Sequence, residues 1–172
     1  ISQPLTWDSM SLPAWFQEEF DTPFRADRIR ERLAMKNDWT PATVAALQTD
    51  ATSLWAQWLV PKLAGDHAGD AAKAWVALQG WDGEMRERGA PALFALVERH
   101  LQQAIFQDEA TAAKLARFGN RWRLLRLLDG RMSADWFDDV STPAKEDRAA
   151  AVEAALAAAW QEGERRWGPK VA

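Results

Sequence analysis

Hydrophobic positions recur along most of this chain at intervals of three and four residues, the spacing that lines one face of an α-helix. After Thr22, the residues Ala26, Ile29 and Leu33 share a face, and helix-forming residues continue to about Lys36. After Thr40 come Val44, Leu47, Ala51, Leu54, Trp55, Trp58 and Leu59, a longer apolar stripe that predicts the main core helix, with Pro61 ending or kinking it. A third helix is predicted from Asp70 to Gln79, with Ala72, Trp75 and Leu78 inward and Gly80 as its stop. From Pro91 the residues Leu93, Phe94, Leu96, Val97, Leu101, Ala104 and Ile105 mark another, with shorter helices expected near residues 110–117 and 121–128. Ser133 is placed to cap a brief turn through Trp136 and Phe137. The last helix is expected from Pro143 to about Trp167. It is Ala-rich, carries Glu146 and Asp147 where the helix dipole favours negative charge, and pairs Glu162 with Arg166 one turn on.

Three of these starts carry the same signature, Thr22-Pro23, Thr40-Pro41 and Thr142-Pro143. Thr can cap free backbone N–H groups, and Pro suits the first helical position because its missing N–H would have had no partner there. Trp81-Asp82-Gly83 falls between two helical stretches and reads as a turn. Period-two alternation is weak and confined to the first ten residues, and no fixed repeat or low-complexity linker interrupts the chain. The expectation is an all-α fold, an irregular bundle of about six to eight helices, in a single helical domain over residues 1–172.

Composition narrows the function classes. With 172 residues and 48% hydrophobic content, the chain can bury one ordinary core. A net charge of −4 lacks the basic excess that phosphate binding favours, so nucleic acid is not an expected partner. No segment approaches the roughly 20 apolar residues of a membrane-spanning helix, so a membrane is not expected either. Absence of cysteine excludes disulfides and thiolate metal sites but leaves the compartment open. Eleven Trp and seven Phe with no Tyr are read as core packing before ligand contact.

Candidate chemistry is sparse. His67 and His100 are far apart and belong to no metal-binding pattern; His100 reads as a surface residue, and His67 as part of a polar turn with a bound cation as the alternative. The adjacent carboxylates Glu18/Glu19 and Asp138/Asp139 point in different directions on a helix and read as solvated charge. Arg117, Arg121, Arg123 and Arg126 surround Trp122, too few rings for a single-strand nucleic-acid groove. Arg25 stands out, because a cation in the first turn of a helix opposes its dipole. With Arg28, Arg32 and Lys36 it forms a basic stripe, read either as a solvated face neighboured by Asp27 and Glu31 or as a surface that meets an anion.

Several short pieces, in order, resemble an interior part of the nucleophile-bearing chain of the penicillin acylase family, also called penicillin amidases. They are Pro23-Phe24-Arg25-Ala26-Asp27-Arg28-Ile29, Leu47-Gln48-Thr49-Asp50 with Ser53, Pro61-Lys62-Leu63, and Leu78 to Gly83. The stretch from Trp136-Phe137-Asp138-Asp139 through Thr142-Pro143 to Glu146 follows, then Trp167-Gly168-Pro169. The resemblance implies an N-terminal nucleophile hydrolase, in which a self-cleaved precursor exposes a Ser that attacks an amide carbonyl. Its α-amino group assists proton transfer, and backbone and Asn donors hold the oxyanion. The products are a carboxylic acid and an amine.

The chain departs from that pattern. None of its nine Gly residues is followed by Ser, Thr or Cys, so the usual self-cleavage junction is absent. Ser2 and Gln3 occupy the region where the resemblance places the oxyanion Asn, and the first Asn is Asn37. Of the family's functional residues, the resemblance carries over only Arg25, as a catalytic arginine near the nucleophile. No cofactor is expected; calcium, bound by some members, is an expectation only for a full-length parent, and the acidic residue expected near Glu18 and Glu19 does not align cleanly. The preferred reading is thus the helical portion of a larger α+β amidohydrolase, inactive alone, whose partners are the remainder of the acylase chain and a small acylated amide. An apolar face left uncovered would make the segment self-associate. Periplasmic or secreted localisation would follow from the resemblance. The alternative is a stand-alone all-α protein-interaction module.

Overall fold

The computed structural model describes residues 22–86, 89–112 and 120–168. Seven α-helices occur among them: α1 (Phe24–Ala34), α2 (Pro41–Gln48), α3 (Leu54–Leu59), α4 (Gly69–Leu78), α5 (Ala90–Ala112), α6 (Arg121–Leu128) and α7 (Arg148–Trp167). Two 3-10 turns, Val60–Leu63 and Ala134–Phe137, complete the regular structure. No named strand occurs among the described residues, only an isolated antiparallel bridge between Thr52 and Glu84, so the all-α expectation holds there. The weak alternation of the first ten residues lies outside them.

The core is built around α7, which packs along α5 and α4. Helix α5 buries Leu93, Phe94, Val97, Leu101, Ile105 and Phe106 on the face that its three- and four-residue spacing predicts. Helix α7 buries Ala151, Val152, Ala155, Leu156 and Ala159, and α4 buries Ala71, Ala74 and Leu78. Alanines on both sides of an interface let helix backbones approach closely and leave no rotamer freedom to lose. Among the described residues most tryptophans serve this core: Trp55 and Trp122 are buried, while Trp58, Trp75, Trp81, Trp136 and Trp160 pack against it.

The stripe after Thr40 does not form one core helix. It breaks into α2 and α3, and α2 buries nothing. The break has a hydrogen-bonding cause. The Asp50 carboxylate accepts the Thr52 N–H at 3.0 Å, the Ser53 N–H donates to the Gly83 carbonyl at 2.9 Å, and the Met85 N–H donates to the Ala51 carbonyl at 3.0 Å. Backbone groups that a continuous helix would have used internally are thus spent on the Trp81-Asp82-Gly83 turn. Ser53 then restarts the helix by accepting the Ala56 N–H at 3.1 Å. Pro61 ends the helical run, lying in the 3-10 turn after Leu59.

Of the three Thr-Pro pairs, one starts a helix as predicted. Thr40 and Thr43 form a reciprocal capping box with Pro41 in the first turn. At α1 the position before the helix is Pro23, with no side-chain cap. Helix α7 begins at Arg148 behind an Asp147 cap, and Thr142 instead donates its hydroxyl to Glu146 at 2.8 Å. Helix α6 matches its prediction and is capped by Asn120. The short helix expected at residues 110–117 is, over 110–112, the end of α5, and the rest lies outside the described residues. Ser133 caps the turn Ala134–Phe137 as expected.

Candidate functional site

Helices α1, α2 and the start of α3 enclose a groove of ≈ 780 Å³. Its wall combines Phe24, Val44, Leu47 and Trp55 with the cations Arg25, Arg28 and Arg121. Phe24, Trp55 and Trp58 form a ring cluster beneath α1, with centroids 5.1–5.8 Å apart. That cluster is the anchor of α1, which buries none of its own residues; Ile29 and Leu33, the predicted inward face, are 43% and 44% exposed.

The basic stripe of α1 is not uniform. Arg28 donates Nε to Asp50 Oδ1 at 3.2 Å and Nη2 to Asp50 Oδ2 at 2.9 Å, the bidentate geometry that makes arginine–carboxylate pairs strong. It also reaches Thr52 Oγ1 at 3.1 Å and Glu31 at 2.9 Å. Arg32 Nε lies 3.2 Å from the same Asp50 carboxylate, and Lys36 pairs with Asp38. The Arg28 hydrogen bond chiefly, with the Thr52 N–H adding to it, holds the Asp50 carboxyl below its ordinary value, and Asp50 in turn raises Arg28. Arg25 differs. It is exposed, lines the groove, and has no hydrogen-bond or ion-pair partner among the described residues.

The motif pieces meet one another. Ser53 joins Gly83 through the backbone, and Gln57 Nε2 donates to the Asp82 carbonyl at 2.6 Å. Asp82 itself accepts the Glu84 N–H at 2.9 Å, a turn-stabilising role and not a catalytic one. Lys62 pairs with Asp129, and Glu146 donates its N–H to Asp138 at 3.0 Å while accepting the Thr142 hydroxyl. Asp139 accepts the Ser141 hydroxyl and N–H, which hold its carboxyl low. Among the charged side chains of these pieces, every one but Arg25 has a structural partner among the described residues.

Both histidines are tied into α7. His67 is enclosed, with Nδ1 2.6 Å from Glu153 and Nε2 2.7 Å from the Leu63 carbonyl, so neither ring nitrogen is open to a cation. His100 is half-buried and meets Glu162 at 2.7 Å, a carboxylate that Arg99 and Arg166 also engage; it is not the free surface residue the sequence implies. Arg121 lies over the Trp55 ring and grips the buried Glu98 through two hydrogen bonds of 2.5 and 2.8 Å. The second basic cluster is therefore partly structural; Arg117 lies outside the described residues. No three carboxylate or imidazole groups converge as a metal would require among the described residues, which do not include Glu18, Glu19, Ser2 or Gln3. No described helix is long and apolar enough to cross a membrane.

Sequence reasoning marked Arg25 by its position against the helix dipole. It missed Asp50 and Glu98, the carboxylates that absorb the neighbouring cations, because their partners lie far away in sequence. A family model described as penicillin amidase matches residues 5–172. No curated protein and no solved structure matches the chain.

Proposed function

The chain belongs to the penicillin amidase family, and from that premise we propose that it serves an amidohydrolase cleaving N-acylated compounds to a carboxylic acid and an amine. One observation carries the reading to a residue. Arg25 is the motif charge with no structural partner among the described residues, and it stands on the wall of a groove large enough for a small acylated amide. A cation held ready beside an apolar wall suits a reaction in which negative charge develops on a carbonyl oxygen and a carboxylate leaves.

The nucleophile of this reaction is an N-terminal Ser of the kind the family resemblance implies, and it is supplied by polypeptide beyond these 172 residues, which contain no Gly-Ser, Gly-Thr or Gly-Cys junction. The acyl specificity belongs to the same outside portion. The residues here contribute the groove, Arg25 and the scaffold that orients it, and the uncovered Ile29, Leu33 and Val44 face the rest of the enzyme.

The test is hydrolysis of chromogenic phenylacetyl and longer acyl amides. The 172-residue chain alone gives no turnover, and the protein expressed from its full reading frame gives turnover that depends on Arg25. A full-frame protein that hydrolyses none of these amides contradicts the proposal, as does robust turnover by the chain alone.

A further inference from the structure

Away from the groove, and independently of the acylase reading, we propose that His67 is a proton-dependent clasp: its doubly protonated ring ties the loop after Leu63 to helix α7.

The ring has acceptors on both sides. Glu153 Oε2 lies 2.6 Å from Nδ1 and the Leu63 carbonyl 2.7 Å from Nε2. A neutral imidazole has one N–H and one lone pair, so in either tautomer one of these contacts would set lone pair against lone pair. With Glu153 ionised, both bonds exist together only in the charged ring. Glu153 is its complement. Its second oxygen accepts the Ala68 N–H at 3.1 Å, and that bond first, the His67 bond next, holds the carboxyl below its ordinary value.

The surroundings favour one geometry. The His67 side chain is 5% exposed, and the edge of the Trp75 ring on α4 closes one side. Gly65 leaves the room: a Cβ there would sit 3.2 Å from the ring. The charged groups that share this part of the surface are Asp66 in the loop, Lys62 in the first 3-10 turn, Asp135 in the second, Lys145 and Glu146 ahead of α7, and Asp147 and Arg148 at its start. Lys62 is paired with Asp129, and Arg148 donates to the Lys62 carbonyl at 2.9 Å. Among the described residues His67 is the sole side-chain cation bonded to Glu153.

The direction of the pH effect follows. The unfolded chain loses a histidine proton near pH 6.5, whereas the folded chain uses that proton in two bonds. Because both bonds use the ring's second proton, the clasp is lost as rising pH removes that proton. At the acid end Glu153 acts oppositely: its contribution is present above its ordinary 4.5 and is lost as pH falls through its lower folded value. His100 serves as an internal control, since Arg99 and Arg166 also engage Glu162 and leave it compensated when His100 is neutral.

The test compares thermal melting of the 172-residue chain with His67→Gln and His100→Gln between pH 5.5 and pH 8.5. Wild type and His100→Gln are expected to lose about 2–4 °C more than His67→Gln over this range. Long-range nitrogen NMR of the wild-type ring at pH 6.5 is expected to give two protonated nitrogens for His67. The same pH slope in His67→Gln as in wild type overturns the proposal, and so does a neutral-ring signature for His67.

Discussion

Arg28 and Asp50 stand 22 residues apart in sequence and meet through two hydrogen bonds of 3.2 and 2.9 Å, joining the first helix to the break between the second and third. The pair is mostly enclosed, with 19% and 11% of the side chains exposed. It accounts for two of the family-like motif pieces at once, since each supplies one partner. It also separates Arg28, a structural residue, from Arg25, three positions earlier and unpartnered among the described residues.

Replacing Asp50 with Asn should therefore cost about 1.5–3 kcal/mol, the range of hydrogen bonds to charged groups. Urea denaturation at neutral pH measures it. Because the folded carboxyl sits below its ordinary 3.8, its contribution is present above that value and is lost as pH falls through the folded value. The gap between wild type and Asp50→Asn should narrow as pH falls below 3.8.

Gly83 and Gly80 share a φ of 83° but differ in surroundings. A Cβ at Gly83 would lie 3.0 Å from the Ser53 carbonyl oxygen and from Gln57, whereas Gly80 has open space. Gly80→Ala should cost about 1–2 kcal/mol from the left-handed backbone alone. Gly83→Ala should cost more, because it also pushes on the Ser53–Gly83 junction. Equal melting temperatures for the two variants would show that this junction yields freely.

Asp147→Ala should destabilise the chain by about 1 kcal/mol, because Asp147 accepts the Ala150 N–H at 3.0 Å as the cap of α7. Pro143→Ala should have little effect, since Pro143 lies before the helix. Thermal melting of the two variants distinguishes this start from the one that the Thr142-Pro143 pair suggests.

What the sequence made legible depended on local information. Leu93 to Ile105, Asp70 to Gln79 and the residues around Trp122 declare their helices because period, caps and stops lie within a few residues of one another. The start of α7 was missed because two signals compete there: Thr142-Pro143 has the form of a cap, but Thr142 is engaged by Glu146 and Asp147 takes the capping role. The stripe from Val44 to Leu59 misled for a different reason. Its period is helical throughout, and the distant Gly83 and Met85, by taking up the backbone of residues 51–53, divide it together with the Asp50 carboxylate that accepts the Thr52 N–H. At the candidate site, the charge of Arg25 against the helix dipole was visible. The carboxylates that separate Arg28 and Arg121 from it, Asp50 and Glu98, were not, because pairing across more than 20 residues leaves no periodic trace.

The Glu98–Arg121 pair gives a further check. Glu98 is buried, so Arg121→Ala should destabilise by about 1–3 kcal/mol through the uncompensated carboxylate. The double variant Glu98→Leu with Arg121→Leu should recover much of that loss, because it removes the buried carboxylate together with its partner. Denaturation of the single and double variants would reveal an additive loss if the pairing were incidental.

The most direct test of the central claim is the Arg25→Ala variant of the protein expressed from its full reading frame, measured for both amide hydrolysis and melting temperature. An unpartnered, exposed cation that acts on substrate should lower kcat/KM by about 100-fold or more while leaving the melting temperature unchanged. Unchanged hydrolysis would contradict the account, and so would a loss of activity that merely tracks a loss of folded protein.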